Sequence, residues 1–259
     1  VGKGQSAIYV TRSGWPREIP ILGGAGEPAW RLEEFENGVD GVAWVDLDGS
    51  GASTLLVGLN GGGGIRAFHD GGRKRWGMML DANIWTVTGI DAAGDRPGRA
   101  IYCDGEKVSV LDADGREVGE FSTRGHYVTT IAAAELDRTG ARQVVSVWPA
   151  NVGTLDYAVG TDLGGKVLWK YPVNADETSS TGTFAVAADV TGDGAKEWIL
   201  APGHRELVVL DSRGRLVARI HASGRGFSAW AAAGIEGRPG WIVAAEAGKA
   251  SAFTLAPGK

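Results

Sequence analysis

Residues 189–201 read Asp-Val-Thr-Gly-Asp-Gly-Ala-Lys-Glu-Trp-Ile-Leu-Ala, directly after the apolar alternation Val186-Ala-Ala. An acidic, glycine-rich turn thus leads without a break into a dense apolar run. Runs of four to eight residues between such turn signals are strands, not helices. The same pattern recurs at Val42-Ala-Trp-Val-Asp-Leu-Asp-Gly, Val87-Thr-Gly-Ile-Asp, Ile131-Ala-Ala-Ala-Glu-Leu-Asp and Ala231-Ala-Ala-Gly-Ile-Glu. The turn acids Asp46, Asp91, Asp137, Asp189 and Glu236 are separated by 45, 46, 52 and 47 residues. Repeats of roughly 40–50 residues, each with several short strands, are the spacing of propeller blades.

Working outward, strand A precedes each acidic turn and strand B follows it, as in Thr54-Leu-Leu-Val, Arg99-Ala-Ile-Tyr-Cys, Gln143-Val-Val-Ser-Val, Glu197-Trp-Ile-Leu and Trp241-Ile-Val-Ala. Strand C ends in a second Asp/Gly turn, as in Val108-Ser-Val-Leu-Asp-Ala-Asp-Gly and Leu207-Val-Val-Leu-Asp-Ser-Arg-Gly. A more polar strand D closes the unit, as in Lys166-Val-Leu-Trp-Lys-Tyr. Rising polarity from B to D places A innermost and D at the rim. Ala7-Ile-Tyr-Val, Glu18-Ile-Pro-Ile and Trp30-Arg-Leu-Glu-Glu-Phe read as B, C and D of a first blade, and the C-terminal end supplies A, B and C of a last one. The expectation is an all-β fold in which residues 1–259 form a single β-propeller domain of four-stranded antiparallel blades. Six blades follow from the count; five, or a fragment of a larger ring, stay open. Stacking covers both apolar faces of each blade and leaves short, protected edges.

The Asp189 segment, with its Asp-x-x-Gly-Asp-Gly-x-x-acid core, resembles an FG-GAP (integrin-type, VCBS-like) repeat. Asp46-Leu-Asp-Gly-Ser-Gly-Ala-Ser-Thr-Leu-Leu-Val-Gly is a second match, and hairpins such as Asp162-Leu-Gly-Gly-Lys-Val-Leu-Trp-Lys-Tyr resemble PQQ-like propeller repeats. The resemblance implies a fold; propellers host unrelated functions, so function has to be argued from a site.

Composition narrows the classes. The 42 glycines recur between apolar runs, which indicates tight turns. A net charge of −5 with no basic block gives no support for nucleic-acid binding. No apolar stretch reaches the length of a membrane span. The sequence as given starts at Val1 in polar residues without a leader, which fits a trimmed product or one never exported; a secreted or periplasmic location is the expectation. The one cysteine, Cys103, reads as a buried strand residue. Gly-x-Ser-x-Gly, His-Glu-x-x-His, Walker and paired-cysteine motifs are missing. Gly61-Gly-Gly-Gly has no helix behind it and reads as a hairpin loop.

Two kinds of site are expected. Ca²⁺ takes six to eight oxygens from a tight loop with alternating acids and a glycine bend. Asp189, Thr191, Asp193 and Glu197 offer such a set, and Asp46, Asp48 and Ser50 a poorer one. The alternative is that each aspartate only caps its own turn. On the other side of the blades, the B–C and D–A loops gather Trp15, Arg17, Asn60, Asn83, Trp85, Arg124, His126, Tyr127, Trp148, Asn151, His204, Arg205 and Arg225. Trp15, Trp85, Trp148, Asn151 and Arg205 are the candidate ligand contacts, for a glycan or a protein partner. Trp148 opens the longest B–C loop, and residues 174–181 form another long one. The expected role is binding, with carbohydrate as one ligand class. The alternative is a lyase-like sugar-processing enzyme using Arg124, His126, Tyr127, His204 and Arg205: arginine for a uronate carboxylate, histidine or tyrosine for proton transfer. Trp44, Trp198 and Trp241 read as packing between blades.

Overall fold

The computed structural model describes residues 7–9, 15–32, 36–128, 130–137, 139–149, 156–174, 184–224, 226–235, 237–246 and 248–255. The chain divides into two compact units, Val1–Thr129 and Thr130–Lys259.

In the first unit, β1 (Ala7–Tyr9), β2 (Ile19–Gly23) and β3 (Pro28–Leu32) form a three-stranded sheet. A four-stranded sheet follows: β4 (Val39–Val45), β5 (Thr54–Leu59), β6 (Gly64–Phe68) and β7 (Lys74–Met78). The next holds β8 (Thr86–Ile90), β9 (Arg99–Cys103), β10 (Lys107–Leu111) and β11 (Glu117–Ser122). The second unit has β12 (Ile131–Glu135), β13 (Arg142–Trp148), β14 (Asp156–Thr161) and β15 (Val167–Val173) in one sheet. Beside it stand β16 (Ala185–Ala188), β17 (Glu197–Gly203), β18 (Glu206–Leu210) and β19 (Leu216–His221). A three-stranded sheet of β20 (Ala229–Ile235), β21 (Arg238–Glu246) and β22 (Lys249–Phe253) completes it. Every sheet is antiparallel with its strands in chain order, and the only helix among the described residues is a 3₁₀ turn, Asp70–Gly72. The sheets are propeller blades. Among the described residues the first holds three strands, matching the predicted B, C and D, and the last three, matching A, B and C.

Period-two alternation explains why the blades stack. In β5, Leu55 and Val57 pack with Ile19 and Ile21 of the preceding sheet, whereas Leu56 packs with Val87, Ala100 and Tyr102 of the following one. In β17, Trp198 and Leu200 face Val145, Ala158 and Trp169, and Ile199 and Ala201 face Trp230, Ile242 and Ala244. Both faces of these two B strands are therefore apolar, and all residues of β5 and β17 are buried. Trp241 departs from its expected place in the core: it is 45% exposed. Its sheet is the last of its unit, so the face carrying Trp241 and Val243 has no following sheet within that unit.

A second device joins neighbouring blades. Trp30, Trp76 and Trp169 occupy the same position of three D strands, and each leans on the C–D turn of the next blade. Trp30 donates to Asp70 Oδ1 at 3.2 Å and Trp76 to the Ala113 carbonyl at 3.0 Å. Trp169 lies so close to Gly214 that a Cβ there would come within 2.6 Å of Trp169 Cβ. Gly115 stands equally close to Trp76, and both glycines have positive φ, 81° and 73°. Only glycine fits a left-handed turn pressed flat under an indole.

Between the two four-stranded sheets of the second unit, buried Gln143 ties the blades. Its Oε1 accepts the indole N–H of both Trp169 and Trp198 at 3.1 Å, and its Nε2 donates to the Ser212 carbonyl at 2.7 Å. Cys103 is buried as expected; burial pushes its thiol up to about 12, and Sγ donates to the Val128 carbonyl at 3.3 Å. That thiol is protonated and inert at neutral pH.

Candidate functional site

The A–B turns that suggested calcium are closed by their own backbone. Asp46 Oδ1 accepts Gly49 N–H at 2.8 Å and Oδ2 accepts Gly51 N–H at 2.9 Å. Asp189 repeats the pattern with Gly192 at 2.6 Å and Gly194 at 2.9 Å. The four glycines all have positive φ, which lets the N–H groups turn inward. Asp48 accepts Ser50 N–H and Arg75 Nη1, and Ser50 Oγ accepts Ala52 N–H. The Ser50 contact, aided by Arg75, holds the Asp48 carboxyl below the usual range. Asp193 accepts Ala195 N–H at 2.8 Å. Glu197 is buried and bridges back to Val190 N–H at 3.0 Å and the Thr191 hydroxyl at 3.1 Å; burial raises its carboxyl above the ordinary value. The C–D turns use a different spacing: Asp112, Asp162 and Asp211 each cap the second and fourth following N–H. Asp137, an A–B acid, adopts this second pattern with Thr139 and Ala141. Among the described residues no three His, Cys, Asp or Glu side chains converge as a metal-ligand set. A cation at Asp46 or Asp189 would have to share oxygens that already close a turn.

At the opposite end of the first unit's strands, the B–C and D–A loops build a continuous polar and aromatic ledge. Trp15, in the loop between β1 and β2, is 67% exposed. Its side chain hydrogen-bonds to Asp40, at the start of β4, and its Cβ presses on Gly38. Asp40 also accepts from Asn60 Nδ2, at 3.1 and 3.3 Å to its two oxygens. Burial raises the Asp40 carboxyl, outweighing these hydrogen bonds. From Asn60 the ledge continues through Gly61, whose N–H donates to Asn83 Oδ1 and whose carbonyl accepts Asn37 Nδ2.

Two residues beyond Asn83, Trp85 donates its indole N–H to Tyr127 Oη at 2.8 Å, with the rings edge to face and centroids 6.2 Å apart. Tyr127 is 52% exposed and rests on Gly105, where a Cβ would strike its ring. The connector that carries Tyr127 is stitched to the neighbouring B–C turn by Val128 N–H to Gly105 O at 2.8 Å and Thr123 N–H to Glu106 O at 3.0 Å. It contains the only non-glycine residue with positive φ among the described residues, Arg124 at 56°. Such backbone costs about 1 kcal/mol or more and persists where surrounding contacts enforce it. Arg124 is exposed and His126 half-buried, its N–H donating to the Thr123 carbonyl. Each exposed ring, Trp15 and Tyr127, is thus pinned by a side-chain hydrogen bond.

The remaining predicted contacts belong to the second unit. Trp148, the last residue of β13, is buried; its indole donates to Ser146 Oγ at 2.8 Å and Lys170 Nζ lies 5.4 Å above its ring. It serves its own sheet and presents no open ring. Arg205 and His204 lie in the turn between β17 and β18. Arg205 borders a depression of about 420 Å³ with Asn174, Glu206 and His221. Asn151, Arg225, Glu236 and residues 175–181 lie outside the described residues. Asp40 escaped notice in the sequence because Asp-Gly at the head of a strand reads as a turn. Glu206 and His221 carried no motif.

No family model and no curated protein sequence matches the chain. Solved structures do. BBS1N, determined in complex with ARL6DN, superposes with a TM-score of 0.67 at 16% identity over 94% of this chain and 73% of that one. A Bacteroides caccae protein of unknown function superposes with a TM-score of 0.54 at 16% identity, covering 86% of this chain and 76% of that one. At such identity the likeness concerns the fold, which is a β-propeller. No helix among the described residues is long and apolar enough to cross a membrane.

Proposed function

We propose that the chain is a non-catalytic binding propeller, and that the Trp15–Tyr127 ledge of its first unit is a carbohydrate-binding surface. The observation that carries this reading is the pair of exposed rings held in place, Trp15 by Asp40 and Tyr127 by Trp85, with Asn60 and Asn83 between them. Prior fixing of both rings removes the entropy that binding would otherwise lose. Amides and a carboxylate beside a flat ring suit the hydroxyls and the C–H face of a sugar. The lyase alternative would use Tyr127 for proton transfer; its hydroxyl accepts the Trp85 N–H and keeps its own proton.

BBS1N was solved with a protein bound, so a protein ligand is the other class to screen. A panel of soluble oligosaccharides and candidate proteins, read by calorimetry, tests the proposal. Trp15→Ala or Tyr127→Ala is expected to weaken glycan binding about thirtyfold or more, the ~2 kcal/mol of an aromatic hot spot. Unsaturated sugar ends that accumulate with wild type and vanish with His126→Ala would establish the enzyme reading instead.

A further inference from the structure

At the Trp15 end of the ledge, the ring is held by a carboxylate that also takes a primary amide. Asp40 is half-buried and holds the Trp15 side chain and the Asn60 amide on its oxygens. A carboxylate has about four acceptor positions, so room remains for further donors. The cluster thus offers paired acceptors on the Asp40 carboxylate beside a fixed ring. This is the complement of two neighbouring hydroxyls on a sugar whose apolar face lies on Trp15, both hydroxyls donating to Asp40. Hydrogen bonds to an ionised carboxylate are the stronger kind.

We propose that this end of the ledge selects neutral sugars through a vicinal diol, with Asp40 as the specificity-determining residue, and discriminates against uronates. The proposal rests on the reading of the ledge as a glycan site. A uronate carboxylate in the same place would meet Asp40 where half-burial weakens screening, and two like charges in one partly desolvated site repel. Arg17 is exposed two residues from Trp15, so a uronate that turned its acid toward Arg17 is the arrangement to be distinguished.

The test uses the full chain and calorimetric titration with neutral hexaoses (gluco-, manno- and xylo-configured) beside oligogalacturonate and oligoalginate of equal length. Wild type is expected to bind at least one neutral series at least tenfold more tightly than either uronate. Asp40→Asn keeps an acceptor for Trp15 but loses the charge; it should weaken neutral binding about tenfold and narrow the preference, with an unchanged melting temperature. A wild-type preference for uronates, or a preference unmoved by Asp40→Asn, overturns the proposal. Should Asp40→Asn fail to fold, the wild-type preference alone decides it. Glycan binding indifferent to both Trp15→Ala and Tyr127→Ala, or no glycan binding at all, defeats the underlying reading of the ledge instead.

Discussion

Replacing Gln143 should unfasten the joint between the β12–β15 and β16–β19 blades. Its side chain makes three hydrogen bonds, to Trp169, Trp198 and the Ser212 carbonyl, and all but 4% of the residue is shielded from solvent. Gln143→Met keeps roughly the volume but removes every polar atom. Two indole N–H groups and a carbonyl then lose their partner, in a place where water replaces it poorly. Each orphaned group costs about 1–3 kcal/mol. Even at the low end the sum is about 3 kcal/mol, a large share of the roughly 5–15 kcal/mol that holds a typical domain together. Gln143→Ala adds a cavity and should cost about 1–2 kcal/mol more. Equilibrium urea denaturation followed by tryptophan fluorescence is the assay, since Trp169 and Trp198 report from the joint itself. The expected result is a lower midpoint at unchanged slope. If Gln143→Met lies within about 0.5 kcal/mol of wild type, the polar network is dispensable and the joint is held by apolar packing alone.

Other outcomes follow from the same geometry. Gly214→Ala should destabilise by more than about 3 kcal/mol, because its Cβ would collide with Trp169 as well as strain a φ of 73°. Gly26→Ala, at φ 84° with open space around it, should cost only the roughly 1–2 kcal/mol of the left-handed conformation; equal losses in chemical denaturation would refute the contact. Burial raises the Glu197 carboxyl, so between its unfolded and folded titrations the native state binds the extra proton and stability falls as pH rises. Glu197→Gln should flatten that slope in melts taken from pH 4 to 7, and an unaltered slope would assign it elsewhere. Calcium at the Asp46 and Asp189 turns is proposed as a weak occupant, with dissociation constants around 10⁻⁴–10⁻³ M. Melting in 10 mM Ca²⁺ against chelator should then show a gain that Asp193→Ala removes, and identical curves would leave these acids as turn caps.

Much of this architecture is local and therefore legible in the residues alone. Alternation with a period of two marks a strand, and turns of aspartate with a positive-φ glycine mark its ends, so β4, β5, β9 and β17 lie where Val42, Thr54, Arg99 and Glu197 indicated. The phase of the repeat, with three described strands in the first and last sheets and four in the others, follows from the same signals. What stacking decides is different in kind. Trp76 meets the Ala113–Gly115 turn, and Gln143 meets Trp198 and Ser212, across 37 to 69 residues of chain. Such contacts depend on how one sheet lies on the next, which no window of neighbouring residues encodes. The recurrence of tryptophan at one D-strand position, with glycine in the following C–D turn, was the available signal. Trp241 shows the converse: its alternation matches a buried strand, but exposure depends on whether another sheet covers that face. The ledge divides along the same line. Trp15, Asn60, Trp85 and Tyr127 could be placed on one end of the blades from loop order, because antiparallel strands return their loops to alternate ends. That Asp40 anchors Trp15, and that Trp85 anchors Tyr127, required side chains 25 and 42 residues apart to meet, and only the packing of blade on blade brings them within a hydrogen bond.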